Sequence, residues 1–223
     1  MNALPFRFLC LLLTLVGCAT PTPAPEVHHV VLGSNSYGYP AVNVRLISVV
    51  QGDDFEARQA QVRYPDCLSG SLGILEFSGT INNSSLQTLN SMMQQITPCI
   101  RKDGRRVVTP VYLNSAEGEL LLGTKLGLWF QSQGVEVIVT EGQVCESACA
   151  LAYLGAQRKR VQANGRVVLH LNGEQGRGFD CARSVDMMPL KNYLFATAGK
   201  QSGQALFNQA LSHCRSGKGW DLS

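Results

Sequence analysis

The chain has 223 residues, with 19 lysines and arginines, 16 aspartates and glutamates, 22 glycines and 8 cysteines. Its length suits one domain of ordinary size, and an apolar fraction of 45% excludes a disordered or collagen-like chain. A net charge of +3 without a basic stripe gives no reason to expect a nucleic-acid partner. Eight cysteines are many for a cytosolic protein and few for a small disulfide scaffold, so the meaning of the count depends on their positions.

The N-terminus carries an apolar run over 8–16, which follows an arginine and ends in L-V-G-C at Cys18. A bilayer span needs about 20 apolar residues, so this shorter run is typical of a signal peptide. Its last four residues resemble a bacterial lipobox, in which the cysteine is acylated. We therefore expect a lipoprotein signal peptide over 1–17, which removes Cys10, and lipid attachment at Cys18. The alternatives are an ordinary secretory signal cleaved near Ala19 and a short buried strand.

A proline-rich stretch follows the expected signal peptide. Residues 19–25 read A-T-P-T-P-A-P, which predicts a stiff, extended tether without core-forming side chains. We expect the tether to cover 18–40 and a single domain to cover 41–223. Ala19, rather than an aspartate, follows the lipobox cysteine. By resemblance to Gram-negative lipoproteins, this favours attachment to the outer membrane through the lipid, with the domain facing the periplasm.

Six further cysteines lie in the expected mature chain. In an oxidising compartment an even number suggests up to three disulfides, and 15 pairings are open. Free buried thiols and a zinc site are the alternatives. No histidine or CxxC motif lies close to Cys145 and Cys149, which form a CxxxC motif, so we expect no metal. The candidate disulfide cysteines are Cys67, Cys99, Cys145, Cys149, Cys181 and Cys214.

The rest of the chain reads as alternating strands and helices. Apolar and alternating runs predict strands at 42–50, 60–64, 72–77, 107–113, 135–140 and 167–171. Helical spacing, caps and helix breakers predict helices from 82 to before Pro98 and at 119–132, 146–154, 185–198 and 202–214. This alternation predicts an α/β domain with buried, largely parallel strands. No glycine-rich dinucleotide motif or P-loop follows a strand, so we expect no nucleotide cofactor.

Three parts of the segment 114–170 are suited to chemistry. The motifs N-S-A-E-G, ending at Gly118, and C-E-S-A-C, centred on Ser147, each lie between a strand and a helix, and His170 lies in a strand. A serine at a helix N-terminus meets unpaired N–H groups, so those of Ala148 and Gly118 could bind an oxyanion. A histidine could take the serine proton and return it to the leaving group. The set suits acyl transfer.

Each part also has a purely structural interpretation. Ser147 could be a helix cap, His170 a core residue and 114–118 an ordinary turn. Cys145 and Cys149 could bridge across the helix start, pair with distant cysteines or pack beside the serine, and one of them could itself be reactive. Either disulfide arrangement would fix the loop that holds the serine.

The order of these motifs resembles the proteolytic subunit of Clp protease, within the Clp/crotonase fold, and more closely a group of bacterial periplasmic proteins of that fold. In Clp-like proteins a strand leads into an N/D-S-P-G-G turn, to which Y-L-N-S-A-E-G, ending at Gly118, corresponds. The nucleophile then opens a helix, here Ser147 in C-E-S-A-C-A-L-A-Y-L-G, and a basic cluster at 158–160 and the base His170 follow. The resemblance covers roughly 70–223, including the final W-D-L-S.

The resemblance implies a fold, a reaction and partners. The implied fold is an α/β, Clp/crotonase-like spiral of repeated strand-strand-helix units. The implied activity is that of a periplasmic serine peptidase or acyl hydrolase, which uses a Ser–His pair on a peptide or protein substrate without a cofactor. Homo-oligomers are expected by analogy. The alternative is a catalytically inactive envelope lipoprotein of the same fold that serves assembly or partner binding. An acyl-CoA substrate, as in crotonases, is not expected, because an exported protein would not meet CoA.

Two departures from the Clp pattern favour the inactive alternative. Glu117 stands where the family has a glycine, and its charge would oppose catalysis unless it points away from the oxyanion hole. The family's third catalytic residue is an aspartate near the late helix, and no acid lies at the corresponding place. Asp221 is the candidate third member, Asp186 matches poorly, and a Ser–His dyad is the alternative. By resemblance to membrane-associated peptidases of this fold, Lys191 is an alternative base.

Overall fold

The structure is a computed structural model that describes residues 44–171, 179–183 and 185–223. The expected signal peptide, the lipid site at Cys18 and the tether lie outside these ranges and stay predictions. Within the described ranges, no helix combines the length and the apolar character needed to cross a membrane.

The described chain alternates strands and helices. The strands are Val44–Gln51 (β1), Phe55–Arg63 (β2), Ser71–Gly79 (β3), Pro110–Asn114 (β4), Glu136–Val139 (β5), Val144–Glu146 (β6), Arg158–Val161 (β7), Arg166–Leu169 (β8) and Trp220–Asp221 (β9). The helices are Asn83–Gln94 (α1), Leu120–Gln133 (α2), Ala148–Gly155 (α3), Met188–Ala198 (α4) and Lys200–Ser216 (α5).

A six-stranded sheet forms the larger layer, in the order β1-β2-β3-β4-β5-β7. The first three strands are antiparallel because short connections join them, whereas β3, β4, β5 and β7 are parallel. Leu75, Val111 and Val137 on successive parallel strands are fully buried in the main core. The prediction of largely parallel strands is confirmed, and the antiparallel pairs in this sheet are those that join β1, β2 and β3.

A second sheet contains β6, β8 and β9, in that order. β6 and β8 are parallel, and β9 is antiparallel to β8. Single parallel bridges, Ile81 to Gly118 and Ser115 to Cys145, continue this pairing between earlier repeats. Each repeat therefore gives one strand to the large sheet, one strand or bridge to the small sheet, and then a helix. The predicted α/β spiral of strand-strand-helix units is confirmed.

Local signals set the helix ends and bring α3 close to α2. The Ser85 N–H donates to the Asn82 side chain and the Asn82 N–H donates to the Ser85 hydroxyl, a reciprocal cap that starts α1 where the sequence predicts. α2 ends at Gly134 in the left-handed conformation, with φ 61°. A Cβ on Gly123 of α2 would overlap the backbone of Ala148. Only a glycine at that position lets the start of α3 pack directly on α2.

Three short strands are absent from the sequence-based prediction. β6, β7 and β9 have 3, 4 and 2 residues, too few for a periodic signal. β7 contains the basic cluster at 158–160. Its Lys159 ammonium donates to the carbonyls of Leu154 and Ala156, both at 3.0 Å, and burial lowers the pKa of Lys159. That side chain satisfies carbonyls at the end of α3.

All six candidate cysteines form disulfides, so the expectation of up to three is confirmed. The pairs are Cys67–Cys99, Cys145–Cys149 and Cys181–Cys214. The first and third pairs join cysteines 32 and 33 residues apart, whereas the second joins cysteines only 4 apart. A longer loop restricts the unfolded chain more, so the first and third pairs are the main stabilising links.

Candidate active site

Ser147 occupies a strained turn between β6 and α3. Its backbone has φ 55° and ψ −113°, and only Asn164 shares a positive φ among the described non-glycine residues. Side chains disfavour this region, so the surrounding structure must enforce it. The Ser147 hydroxyl makes no capping hydrogen bond, so it does not act as a helix cap. A strand–serine–helix turn of this kind exposes the hydroxyl at the edge of a sheet.

The disulfide between Cys145 and Cys149 encloses this turn. Cys145 lies in β6 and Cys149 in the first turn of α3, with their Cα atoms 5.0 Å apart, and both are completely buried. The bond ties the strand that enters the turn to the helix that leaves it. In this state neither sulfur is a thiolate, so the reactive-cysteine interpretation does not apply.

The turn at 114–118 is fixed against the same strand. The Ser115 N–H donates to the Val144 carbonyl and the Glu146 N–H donates to the Ser115 carbonyl, both at 2.8 Å. The buried Ser115 hydroxyl donates to the Glu117 carbonyl at 3.0 Å. The two sequence motifs are therefore held side by side by backbone pairing.

The residues Gly118 and Ala148, close to Ser147, each have a backbone N–H without an acceptor among the described residues. The Ile81 N–H donates to the Glu117 carbonyl and the Glu119 N–H donates to the Ile81 carbonyl, both at 3.1 Å. In such a parallel bridge the N–H of the intervening Gly118 points away from Ile81. The Ala148 N–H is the first of α3 and has no intrahelical acceptor. Neither N–H donates to a described residue. A Cβ on Gly118 would lie 3.0 Å from the Ala148 Cβ, so the two residues are close neighbours.

The side chain of Glu117 is not buried beside the N–H groups of Gly118 and Ala148. Its side chain is exposed, while its carbonyl takes part in the bridge to Ile81. Water and salt screen an exposed carboxylate, so its charge opposes a nearby oxyanion less than a buried one would.

His170 lies at the same edge of the small sheet as Ser147. β6 and β8 are parallel, with Glu146 paired to Val168, and the Ser147 N–H donates to the Val168 carbonyl at 3.0 Å. His170 follows the last residue of β8 and is exposed, so it is not a core residue. Adjacent strands are about 4.8 Å apart, so the parallel pairing brings these two residues together at neighbouring strand ends.

The imidazole of His170 nevertheless rests on Gly219, just before β9. A Cβ on Gly219 would lie 2.8 Å from the ring Nε2, closer still to Cε1, and 2.7 Å from the Val168 Cγ1. β9 and β6 lie on opposite sides of β8. The ring therefore leans toward β9, and no hydrogen bond joins it to Ser147. Sequence reasoning missed Gly219, because one glycine ahead of a short strand carries no spacing signal.

The acids proposed as the third member have other partners. The Asp221 carboxylate accepts the Ser223 N–H at 2.9 Å, and hydrogen bonds from the backbone and side chain of Ser223 lower the pKa of Asp221. Asp186 forms an ion pair with Arg183 at 3.3 Å. Among the described residues, no carboxylate forms an ion pair or hydrogen bond with His170.

The alternative base, Lys191, lies in α4. Its ammonium is 5.5 Å from the centre of the Phe195 ring and 5.7 Å from that of Phe207. Cation–π contacts of this kind hold the ammonium against the two rings of α4 and α5.

A polar cavity of about 290 Å³ opens at the carboxyl ends of β3, β4 and β5. Its lining includes Ser78, Asn114 and the ion pair of Arg58 with Glu56, whose atoms are 2.6 Å apart. Ser147 and His170 do not line it, so this cavity is separate from the candidate active site. The described ranges contain no group of three or more side chains suited to holding a metal ion.

Comparison with known proteins gives matches to solved structures alone. No family model and no curated protein matches the chain. The chain is similar to the ClpP protease catalytic domain from Plasmodium falciparum, with a TM-score of 0.46 and 13% identity over 66% of this chain and 75% of that one. It is also similar to ClpP1 from Listeria monocytogenes, with a TM-score of 0.46 and 14% identity over 66% and 81% of the two chains. A point mutant of ClpP1 from the same organism gives a TM-score of 0.43 and 16% identity. At these values the likeness assigns no role to any residue.

Proposed function

We propose that this chain is a serine hydrolase that transfers acyl groups from peptide or protein substrates, with Ser147 as the nucleophile. The observation that carries the proposal is the strained Ser147 turn beside the unused N–H groups of Gly118 and Ala148. A side chain in such a backbone region costs on the order of 1–3 kcal/mol, and such strain clusters at functional sites. The geometry suits a reaction in which negative charge develops next to the serine.

In the proposed reaction, His170 removes the proton of the Ser147 hydroxyl as its Oγ attacks the substrate carbonyl carbon. The carbonyl oxygen becomes an oxyanion that accepts hydrogen bonds from Gly118 and Ala148. The histidine then gives its proton to the leaving amine, and the acyl group stays on the serine. A water molecule then attacks the acyl carbon while one of its protons passes to His170. The bond between the acyl carbon and the Ser147 Oγ breaks, and His170 returns the proton to Oγ.

We further propose that the protein is anchored through Cys18 to the bacterial outer membrane and faces the periplasm, where it forms homo-oligomers. Three disulfides in the described chain support an oxidising compartment. Growing cells with labelled palmitate tests the anchor. Incorporation that is lost in Cys18→Ala is expected, and incorporation that survives this substitution contradicts it.

The second candidate function is a catalytically inactive envelope protein of the same fold. Two observations favour it: His170 makes no hydrogen bond with Ser147, and no described carboxylate orients its ring. In a serine protease the orienting acid contributes about 10⁴ in rate, so a site without one is slow at best.

A fluorophosphonate probe on the purified, oxidised protein distinguishes the two functions. The serine Oγ displaces fluoride from phosphorus, and its proton passes to the base. We expect labelling that is abolished in Ser147→Ala, strongly reduced in His170→Ala and unchanged in Ser84→Ala, which removes an exposed hydroxyl on α1. Absence of labelling in the folded wild-type protein between pH 6 and 9 would overturn the hydrolase and favour the inactive protein.

A further inference from the structure

We propose that Gly219 regulates the candidate site by holding His170 in a resting position away from Ser147. This inference rests on the proposed hydrolase and goes beyond it, because it names the residue that keeps the base from the nucleophile. In the resting state the imidazole lies on the Gly219 backbone. The site becomes competent when the ring turns from β9 toward β6.

The order of the small sheet places the two positions on opposite sides of His170. β8 is the central strand, Ser147 follows β6 on one side, and Gly219 precedes β9 on the other. The Nε2–Cε1 edge of the ring touches Gly219 so closely that a Cβ there would overlap it. The Nε2 that faces Gly219 is not hydrogen-bonded to Ser147, and general-base catalysis needs a ring nitrogen within hydrogen-bond reach of the serine hydroxyl.

The resting place is fixed independently of the histidine. The Leu222 N–H donates to the Val167 carbonyl at 2.8 Å, and the Val167 N–H donates to the Ser223 hydroxyl at 2.9 Å. Trp220 is buried in the main core and its ring stacks on His213, with 5.8 Å between the ring centres. β9 is therefore anchored on both sides of Asp221, and Gly219 keeps its position whether or not the imidazole occupies it.

The contact between the His170 ring and Gly219 is weak compared with the contacts that anchor β9. The His170 side chain is exposed, and its ring makes no hydrogen bond or ion pair with a described residue. Rotation about χ1 moves an exposed ring between staggered positions at little cost. The competent position is then a minor state, which a substrate that contacts it would select.

The substitution Gly219→Ala removes the resting position of the ring without changing the backbone around it. Gly219 does not have a left-handed φ, so an alanine can adopt its backbone without strain. The new methyl group would occupy the space of the ring edge and expel the imidazole from β9. Lys218→Ala is the matched control, because it changes an exposed side chain in the same segment and leaves this space empty.

The test measures fluorophosphonate labelling of the wild-type, Gly219→Ala and Lys218→Ala proteins. If the competent ring position is populated at about a tenth, Gly219→Ala raises the labelling rate by on the order of tenfold. Lys218→Ala leaves the rate unchanged, and Gly219→Ala/His170→Ala shows no rise. An unchanged or lower rate in folded Gly219→Ala, with the wild-type protein still labelling, overturns the resting position and leaves the hydrolase intact.

Two further measurements keep the outcomes distinct. If no protein labels, the hydrolase itself fails and the regulatory role fails with it. A ring-current shift of the Gly219 α-protons, lost in His170→Ala, reports the resting contact without any reaction, and its absence also overturns the proposal. If Gly219→Ala does not fold, the pair Gly219→Ala/Val168→Ala relieves the second contact of the new methyl group and still displaces the ring.

Discussion

The nucleophile half and the base half of the candidate site are built in opposite ways. Ser147 lies between Cys145 and Ala148, both fully buried, and a disulfide closes the chain around it. His170 is exposed at the end of β8 and touches the backbone of Gly219. The comparison teaches that covalent and packing constraints fix the proposed oxyanion site, whereas the proposed base is held by a single backbone contact.

The largest expected effect on the labelling rate comes from substituting Gly118, in the half of the candidate site that contains Ser147. Its φ is 149°, and a Cβ would lie 2.8 Å from the Ile81 carbonyl oxygen and 3.0 Å from the Ala148 Cβ. Gly118→Ala must therefore move the N–H that we propose as an oxyanion donor, and we expect the labelling rate to fall by about 10²–10³.

Gly70→Ala is the control for backbone strain. Gly70 also has a positive φ, of 71°, but no atom lies within 4 Å of a Cβ there. We expect it to lower the free energy of unfolding by about 1 kcal/mol and to leave the labelling rate per folded molecule unchanged. Equal labelling by Gly118→Ala and the wild-type protein would contradict the oxyanion assignment.

An intermediate effect is expected from removing the disulfide around Ser147. The pair Cys145→Ala/Cys149→Ala opens a loop of only 4 residues in separation, so chain entropy predicts a loss of roughly 2 kcal/mol in unfolding free energy. The pair Cys67→Ala/Cys99→Ala opens a separation of 32 residues and should lose roughly 4 kcal/mol. Urea denaturation measures both losses.

The labelling rates of the same two variants should follow the reverse order. The variant without the Cys145–Cys149 bond should label on the order of tenfold more slowly, because the Ser147 turn is then free to relax from its strained φ. The variant without the Cys67–Cys99 bond should label like the wild-type protein. A slower rate in both variants would show that the disulfide acts through global stability instead.

The smallest effect is expected at Asp221, in the half of the candidate site that contains His170. Its folded pKa lies below the ordinary value because Ser223 donates hydrogen bonds to the carboxylate. A lowered pKa contributes stability that is present above the unfolded value of about 3.9 and is lost as pH falls through the folded pKa. The stability difference between the wild-type protein and Asp221→Asn should therefore be constant near pH 7 and shrink below about pH 4.

The same variant decides whether Asp221 orients the base. With the carboxylate bound to Ser223, Asp221→Asn should leave the labelling rate at pH 7 within about twofold of the wild-type rate, since an exposed charge is screened. A loss of tenfold or more would make Asp221 the third catalytic member. That result would also show that the carboxylate leaves Ser223 during the reaction.

Much of this organisation could be predicted from local sequence. The spacing of Leu89 and Met92 indicates α1, and the strand–serine–helix order around Ser147 indicates its turn, because these signals lie among sequence neighbours. β6 and β9 could not be predicted, since strands of 3 and 2 residues carry no periodicity. They are nevertheless the strands that flank His170.

By itself, the sequence determined the α/β class, the repeated units and the two strand–turn–helix segments that carry Gly118 and Ser147. Hydrophobic periodicity and turn chemistry act over a few residues, so they can be read without a fold. Tertiary structure alone decided how the six cysteines pair and that the ring of His170 lies on Gly219. Those contacts join residues far apart in the chain, and they exist because pairing within the small sheet and packing around it bring the segments together.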